Sequence, residues 1–279
     1  MSIHPIPEAR HFDPVLRPDL REVYARRAAR LRSLAPGHEL AAWLGFAAAV
    51  TDAQKAAIGA PDAAGLDVVA IARSGDWLVG LALILEHVAE EVADQPELQT
   101  HLRDLSALGV DACKDAAVAL AEGRFTDVDP AHAPLIWAAL SLHVAQIARL
   151  MPLPPKGDAE TVDCPVCGTA PVASHIHTGD LQGLRYLHCA MCECEWHMVR
   201  AKCSCCGDAS DLDYLSFDTP EAATRAEACN VCKGYLKIVS AERDQDVEAV
   251  ADDLQIALDD AAQAEGFGRT GFNPFALPG

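Results

Sequence analysis

Cys164-Pro-Val-Cys167-Gly168, Cys189-Ala-Met-Cys192, Cys203-Ser-Cys205-Cys206-Gly207 and Cys229-Asn-Val-Cys232 are four Cys-x-x-Cys pairs in one stretch, and ten of the chain's 11 cysteines fall within it. Two residues between cysteines let one tight turn aim both sulfurs at a single ion, and two such turns complete a tetrahedral four-thiolate site. The first and second pairs are separated by 21 residues and the third and fourth by 22, so the stretch reads as two small metal-binding ribbons in tandem. The expected ligands are Cys164, Cys167, Cys189 and Cys192 for one ion and Cys203, Cys206, Cys229 and Cys232 for another. Pairing within each repeat is the simplest assignment, and a cross-braced one, first pair with third, fits the spacing as well.

The repeat extends beyond the cysteines. Gly168 and Gly207 follow the first pair of each ribbon, where a positive φ lets backbone N–H groups point at thiolate sulfur. Each closing pair is followed within four residues by an aromatic, Trp196 or Tyr235, and a strand-like run, Met198-Val199 or Leu236-Lys-Ile-Val239. Leu184-Arg-Tyr-Leu-His188 reads as the strand entering the second pair. Zinc and iron both accept four thiolates, so the cofactors are two metal ions, iron or zinc. Cys194 and Cys205 are left over and read as bystander thiols. With eight cysteines available, His175, His177, His188 and His197 read as structural or supporting residues rather than ligands.

Composition narrows the function. Of 279 residues, 51% are hydrophobic and 5% aromatic, and alanine is abundant, which favours helices over sheets outside the ribbons. The net charge of −19 repels phosphate backbones and anionic lipid, which argues against nucleic acid and membrane surface as partners. A nucleic-acid-binding zinc ribbon normally shows a basic stripe with exposed aromatics, and residues 163–239 carry 10 acidic against 6 basic residues. The first residues lack a basic segment followed by an apolar run, and Arg26-Arg27 sits in an amphipathic stretch and reads as a solvated helix face. No run reaches the roughly 18 apolar residues of a membrane span. The expectation is a soluble cytosolic protein, in whose reducing surroundings paired cysteines mean metal or redox chemistry.

The fold class expected is α+β and multidomain: an α-helical domain at 1–151, a Pro-rich linker at 152–162, four-cysteine ribbons at 163–200 and 201–241, and a C-terminal helix with tail at 242–279. Residues 1–17 read as an extended arm. Helical periodicity marks 19–34, 39–58, a segment after Gly75 capped by Asp76, 96–108, 111–122 and a nearly all-round apolar helix at 131–151 that should form the core. His87, His101, His132 and His143 read as hydrogen-bonded or surface residues and Cys113 as a small buried hydrophobe. Residues 244–265 return to helical period, and the acidic set Asp246, Glu248, Asp252, Asp253, Asp259 and Asp260 reads as a solvated face. No nucleophile–base pair or phosphate loop appears, so an enzyme is the weakest reading.

These residues resemble the formate dehydrogenase accessory proteins, the FdhE family. The resemblance rests on Cys164-Pro-Val-Cys-Gly, Gly183-Leu-Arg-Tyr-Leu-His-Cys189, Cys192 with Glu195-Trp-His197, and Val199-Arg-Ala-Lys-Cys203. It continues through Cys229-x-x-Cys232, Tyr235-Leu-Lys-Ile, Val247-Glu-Ala-Val-Ala-Asp-Asp-Leu254 and Asn273-Pro-Phe, about 115 residues in all. The family pattern holds the eight paired cysteines and not Cys194 or Cys205. The resemblance implies rubredoxin-like ribbons, with iron a candidate, in a non-enzymatic cytoplasmic factor needed for active respiratory formate dehydrogenase. It implies contact with the catalytic subunit of that enzyme before export; homo-oligomerisation is left open. The alternative is a rubredoxin-like iron protein passing single electrons during maturation.

Overall fold

A computed structural model describes residues 12–62, 65–154, 161–217 and 219–276. Most of the expected arm (1–11), the middle of the linker (155–160) and the last three residues lie outside the described residues. Val15–Leu16 forms β1. Asp19 then starts α1 (Leu20–Leu34), its carboxylate accepting from the backbone N–H groups of Arg21 and Glu22 at 2.8 and 3.2 Å. The helices that follow are α2 (Ala41–Ala56), α3 (Val68–Ser74), α4 (Leu78–Glu91), α5 (Pro96–Ala107), α6 (Val110–Ala121) and α7 (Ala133–Ala148).

Sequence reading missed α3, whose seven residues are too few to display a period. Asp67 caps it, and Gly75 ends it at φ +83°, a left-handed conformation that suits glycine. That turn displaces the next helix start, so the cap of α4 is Trp77 and not Asp76, with a 75° bend between the two helices. Trp77 is wholly buried and donates from Nε1 to Ala72 O at 3.0 Å, so the bend is fixed by packing. α7 is buried on all sides except at His143 and Gln146, the central position its composition predicts. Among the described residues no single helix is long and apolar enough to cross a membrane.

The ribbons supply β2 (Ala173–Ile176), β3 (Arg185–His188), β4 (Glu195–His197), β5 (Leu212–Leu215), β6 (Thr224–Cys229) and β7 (Gly234–Ser240). Two short helices follow, α8 (Ala249–Asp252) and α9 (Ile256–Ala264), and then β8 (Gly268–Arg269). The strand-like run expected at Met198-Val199 is not a strand, because β4 ends at His197. Each ribbon is an antiparallel meander, and the two join through a parallel pairing of β2 with β7. The resulting single sheet has the order β1-β4-β3-β2-β7-β6-β5, with β8 beside β7. One hydrophobic core runs from α1 through α7 into the first ribbon, including Leu187, Met191, Trp196 and Met198. A smaller one sits under α9, from Ala226, Tyr235, Leu258, Ala262 and Phe267.

The C-terminal helix is also corrected. Residues 244–265 form two short helices separated at Asp253–Gln255, and four of the six acids expected in water are buried. The break sends them to different cations. Glu248 bonds Arg27 at 3.0 Å and Asp252 bonds Arg30 at 2.6 Å on α1; Asp259 bonds Lys237 of β7 at 2.7 Å, and Asp253 pairs with Arg269. Only Asp246 and Asp260 are exposed. A buried carboxylate needs a cation or several hydrogen bonds, and these partners come from distant sequence.

Candidate metal centres

The four Cys-x-x-Cys turns share one backbone form. The residue after each pair is left-handed: Gly168 at φ +78°, Glu193 at +57°, Gly207 at +75° and Lys233 at +58°. Each donates its N–H to the carbonyl of the first cysteine of its turn, Cys164, Cys189, Cys203 or Cys229, at 2.8, 2.9, 3.0 and 2.8 Å. The left-handed residue reverses the chain tightly enough that both sulfurs face one point. Glycine does this without strain in two turns; Glu193 and Lys233 occupy the same conformation with a Cβ. In the third turn the N–H groups of Cys205 and Cys206 point at Cys203 Sγ, at 3.4 and 3.5 Å.

The turns bring the eight cysteines into two groups of four that follow the repeat, each with its ligand atoms close enough to hold one ion. Four sulfurs about 2.3 Å from an ion at tetrahedral angles stand about 3.8 Å apart. Cys203–Cys232 and Cys206–Cys229 are 3.7 and 3.8 Å apart, and Cys164–Cys192 and Cys167–Cys189 are 3.5 and 3.4 Å apart. The donor set and its spacing therefore fit zinc or iron. Hydrogen bonds among the thiols of the first group push Cys164 far up, while the Cys164 contact holds Cys167 well below the ordinary thiol value. The groups differ in access. In the first, three sulfurs are buried and Cys167 is half-buried; in the second, Cys206 and Cys232 are exposed. Cys194 is buried and Cys205 exposed, and neither joins a group of four.

The first ribbon is tied to the helices through a buried ionic cluster that sequence reading did not find. Arg27 is corrected from a solvated residue to one 3% exposed, donating to both carboxylate oxygens of Glu193 at 2.7 Å and to Glu248 at 3.0 Å. His188 lies between Glu193, 2.8 Å from Nε2, and Glu195, 3.1 Å from Nδ1. Burial opposes charge on His188, but the hydrogen bonds it donates to Glu193 and Glu195, with their negative charges, outweigh it and raise its pKa to about 10. Burial likewise opposes ionisation of Glu193, yet the Arg27 charge and hydrogen bonds lower its pKa to about 2. Arg149, at the end of α7, donates to Cys192 O at 3.2 Å, so a third element also touches the second turn.

A second titratable group occupies the same face of the sheet. His175 of β2 and His177 just beyond it, Glu195 of β4 and His188 of β3 converge beside a cavity of about 360 Å³. His177 Nε2 is 2.7 Å from Glu195 Oε2, and His175 Nδ1 is 3.6 Å from Glu195 Oε1. The signal was legible in the sequence: His175-x-His177, Tyr186-x-His188 and Glu195-x-His197 each alternate, and the strand period of two places such residues on one face. The register confirms it, with His175 opposite Tyr186, His188 opposite Glu195 and Tyr186 opposite His197.

Three family models match the chain: "FdhE, N-terminal" over residues 12–161, "FdhE, central domain" over 163–200 and "FdhE, C-terminal domain" over 201–276. The "Protein FdhE" of Escherichia coli K12 is 41% identical over 287 residues, 95% of this chain and 92% of that one. The "Protein FdhE homolog" of Cronobacter sakazakii is 40% identical over 313 residues, 100% of this chain and 99% of its own. The crystal structure of the FdhE protein from Pseudomonas aeruginosa superposes with a TM-score of 0.81 at 32% identity, covering 96% of this chain and 100% of that one.

Proposed function

This chain belongs to the FdhE family, and on that premise we propose that it is a cytoplasmic, non-catalytic assembly factor for respiratory formate dehydrogenase, binding the catalytic subunit of that enzyme before export. The observation carrying the reading is the pair of four-cysteine groups set in one continuous sheet and braced on the helical half. Cys164, Cys167, Cys189 and Cys192 hold one ion and Cys203, Cys206, Cys229 and Cys232 the other, each iron or zinc. Thiolates bind deprotonated, so the two sites add negative charge to a chain already at −19, which favours a basic protein surface as partner. Deleting the gene should abolish respiratory formate dehydrogenase activity, and the two proteins should co-purify under reducing conditions. Undiminished activity in the deletion strain, or failure to co-purify under any redox condition, overturns the proposal.

A second reading, single-electron transfer through a rubredoxin-like iron site, is favoured by one observation. Cys206 and Cys232 reach the surface, where a redox centre must lie to meet its partner. Four thiolates holding iron supply one-electron chemistry and a red absorption, whereas zinc is colourless. A colourless anaerobic preparation with two equivalents of zinc rules this reading out.

A further inference from the structure

We infer that His175, His177 and Glu195 form a third metal site, chemically distinct from the two thiolate sites, that takes a divalent transition ion through two imidazoles and one carboxylate. The inference stands on geometry and is independent of the assembly role. Ligands about 2.1 Å from an ion and at right angles around it stand about 3 Å apart. Glu195 meets His177 at 2.7 Å and His175 at 3.6 Å, on either side of that value, through different carboxylate oxygens. His175 is on β2, His177 one residue past its end and Glu195 on β4, the two strands that flank β3 in one sheet, so their spacing is held by backbone pairing through β3.

A structural hydrogen-bond cluster would have its buried nitrogens paired. His175 is 5% exposed and its Nε2 has no hydrogen-bond partner among the described residues, although the ring lines the cavity. The nitrogen offered to the ion beside Glu195 is His175 Nδ1; the opposite, unpaired Nε2 shows that these rings do not close into a fully satisfied hydrogen-bond network. Glu195 is held in turn by His188 Nδ1 at 3.1 Å, the kind of supporting contact that orients a ligating carboxylate. Leu16, Arg17, Pro18 and Arg26 also line the cavity, whose volume of about 360 Å³ leaves room for water or a small anion at the remaining positions. Two histidines and a carboxylate with open positions suit ferrous iron or zinc, and differ from the soft four-thiolate sets elsewhere in the chain.

The test uses the full chain, anaerobic, with both cysteine groups filled by zinc, titrated with Co(II). One further equivalent is expected, showing ligand-field bands without thiolate-to-metal charge transfer. His177→Ala should weaken that equivalent about ten-fold or more while the zinc content and far-UV circular dichroism stay unchanged. His177 sits at a strand end with its side chain 19% exposed, so the substitution spares the core. His101→Ala, at an exposed helix position, should leave all three equivalents in place. If His177→Ala unfolds the chain, Glu195→Gln is read in the same way. Binding of no Co(II) beyond the two zinc sites, or a third equivalent that survives His177→Ala at full affinity, overturns the inference.

Discussion

Arg27 shows how a residue can be read correctly for its element and wrongly for its role. Its place on α1 follows from periodicity, but its partners Glu193 and Glu248 are 166 and 221 residues away, and nothing local announces them. Removing one member of a buried ion cluster strands the others without compensation, so Arg27→Met is expected to lower unfolding free energy by about 3–5 kcal/mol, measurable by urea denaturation of the metal-loaded protein. The cluster also has a pH signature. His188 titrates near 10 in the fold against an ordinary 6.5, so its stabilisation is complete below pH 6.5 and fades as pH rises towards 10. Glu193 is depressed from 4.5 to about 2, so its contribution is complete above pH 4.5 and fades as pH falls towards 2. The stability difference between the wild type and His188→Gln should therefore be largest below pH 6.5 and shrink through pH 10, a trend that unfolding curves at successive pH values would reveal.

At the scale of elements, the cysteine turns were the most legible feature because Cys-x-x-Cys-Gly dictates a conformation from five adjacent residues. Two of the four left-handed positions carry glycine, and the other two could be found only through the repeat. This asymmetry gives a paired prediction. In Gly207→Ala the added Cβ meets nothing nearer than Lys202 Cε at 3.8 Å, so only backbone strain acts, costing about 1 kcal/mol. Lys233→Gly relieves the same strain at an exposed residue and should stabilise by about 0.5 kcal/mol after glycine's extra unfolded-state entropy. Thermal melts of the two variants, shifting in opposite directions, would check both. The C-terminal segment was the least legible element. Its apolar period is real, but Glu248, Asp252, Asp253 and Asp259 are positioned by Arg27, Arg30, Arg269 and Lys237, and meeting all four cations requires the break that periodicity cannot show.

For the whole molecule, the two thiolate groups should behave unequally. The second, with Cys206 and Cys232 exposed, is open to a chelator, whereas the first lies in the main core against α7. Metal release to excess chelator is expected in two phases, the fast one abolished by Cys232→Ser and the slow one by Cys164→Ser, with the residual metal counted in each variant. Loss of the first ion should loosen the helical half as well, because Glu193 in its turn anchors α1, and near-ultraviolet circular dichroism from Trp77 and Trp137 would register it. Helical and ribbon halves were both apparent in the sequence; the continuous core and the shared sheet were not, since pairing between strands of different repeats leaves no mark on either.

The parallel seam between β2 and β7 also orders events during synthesis. β2 ends at Ile176 and its neighbour ends at Ser240, 64 residues later. At roughly 5–20 residues per second the ribosome needs about 3–13 s to cover that interval, during which the first ribbon has an open strand edge. The first metal group can close at Cys192, but the edge beside it is sealed only when the second ribbon emerges. A nascent chain stalled before β7 should therefore present an adhesive edge, and slow codons between the ribbons should raise aggregation more than slow codons placed after β7.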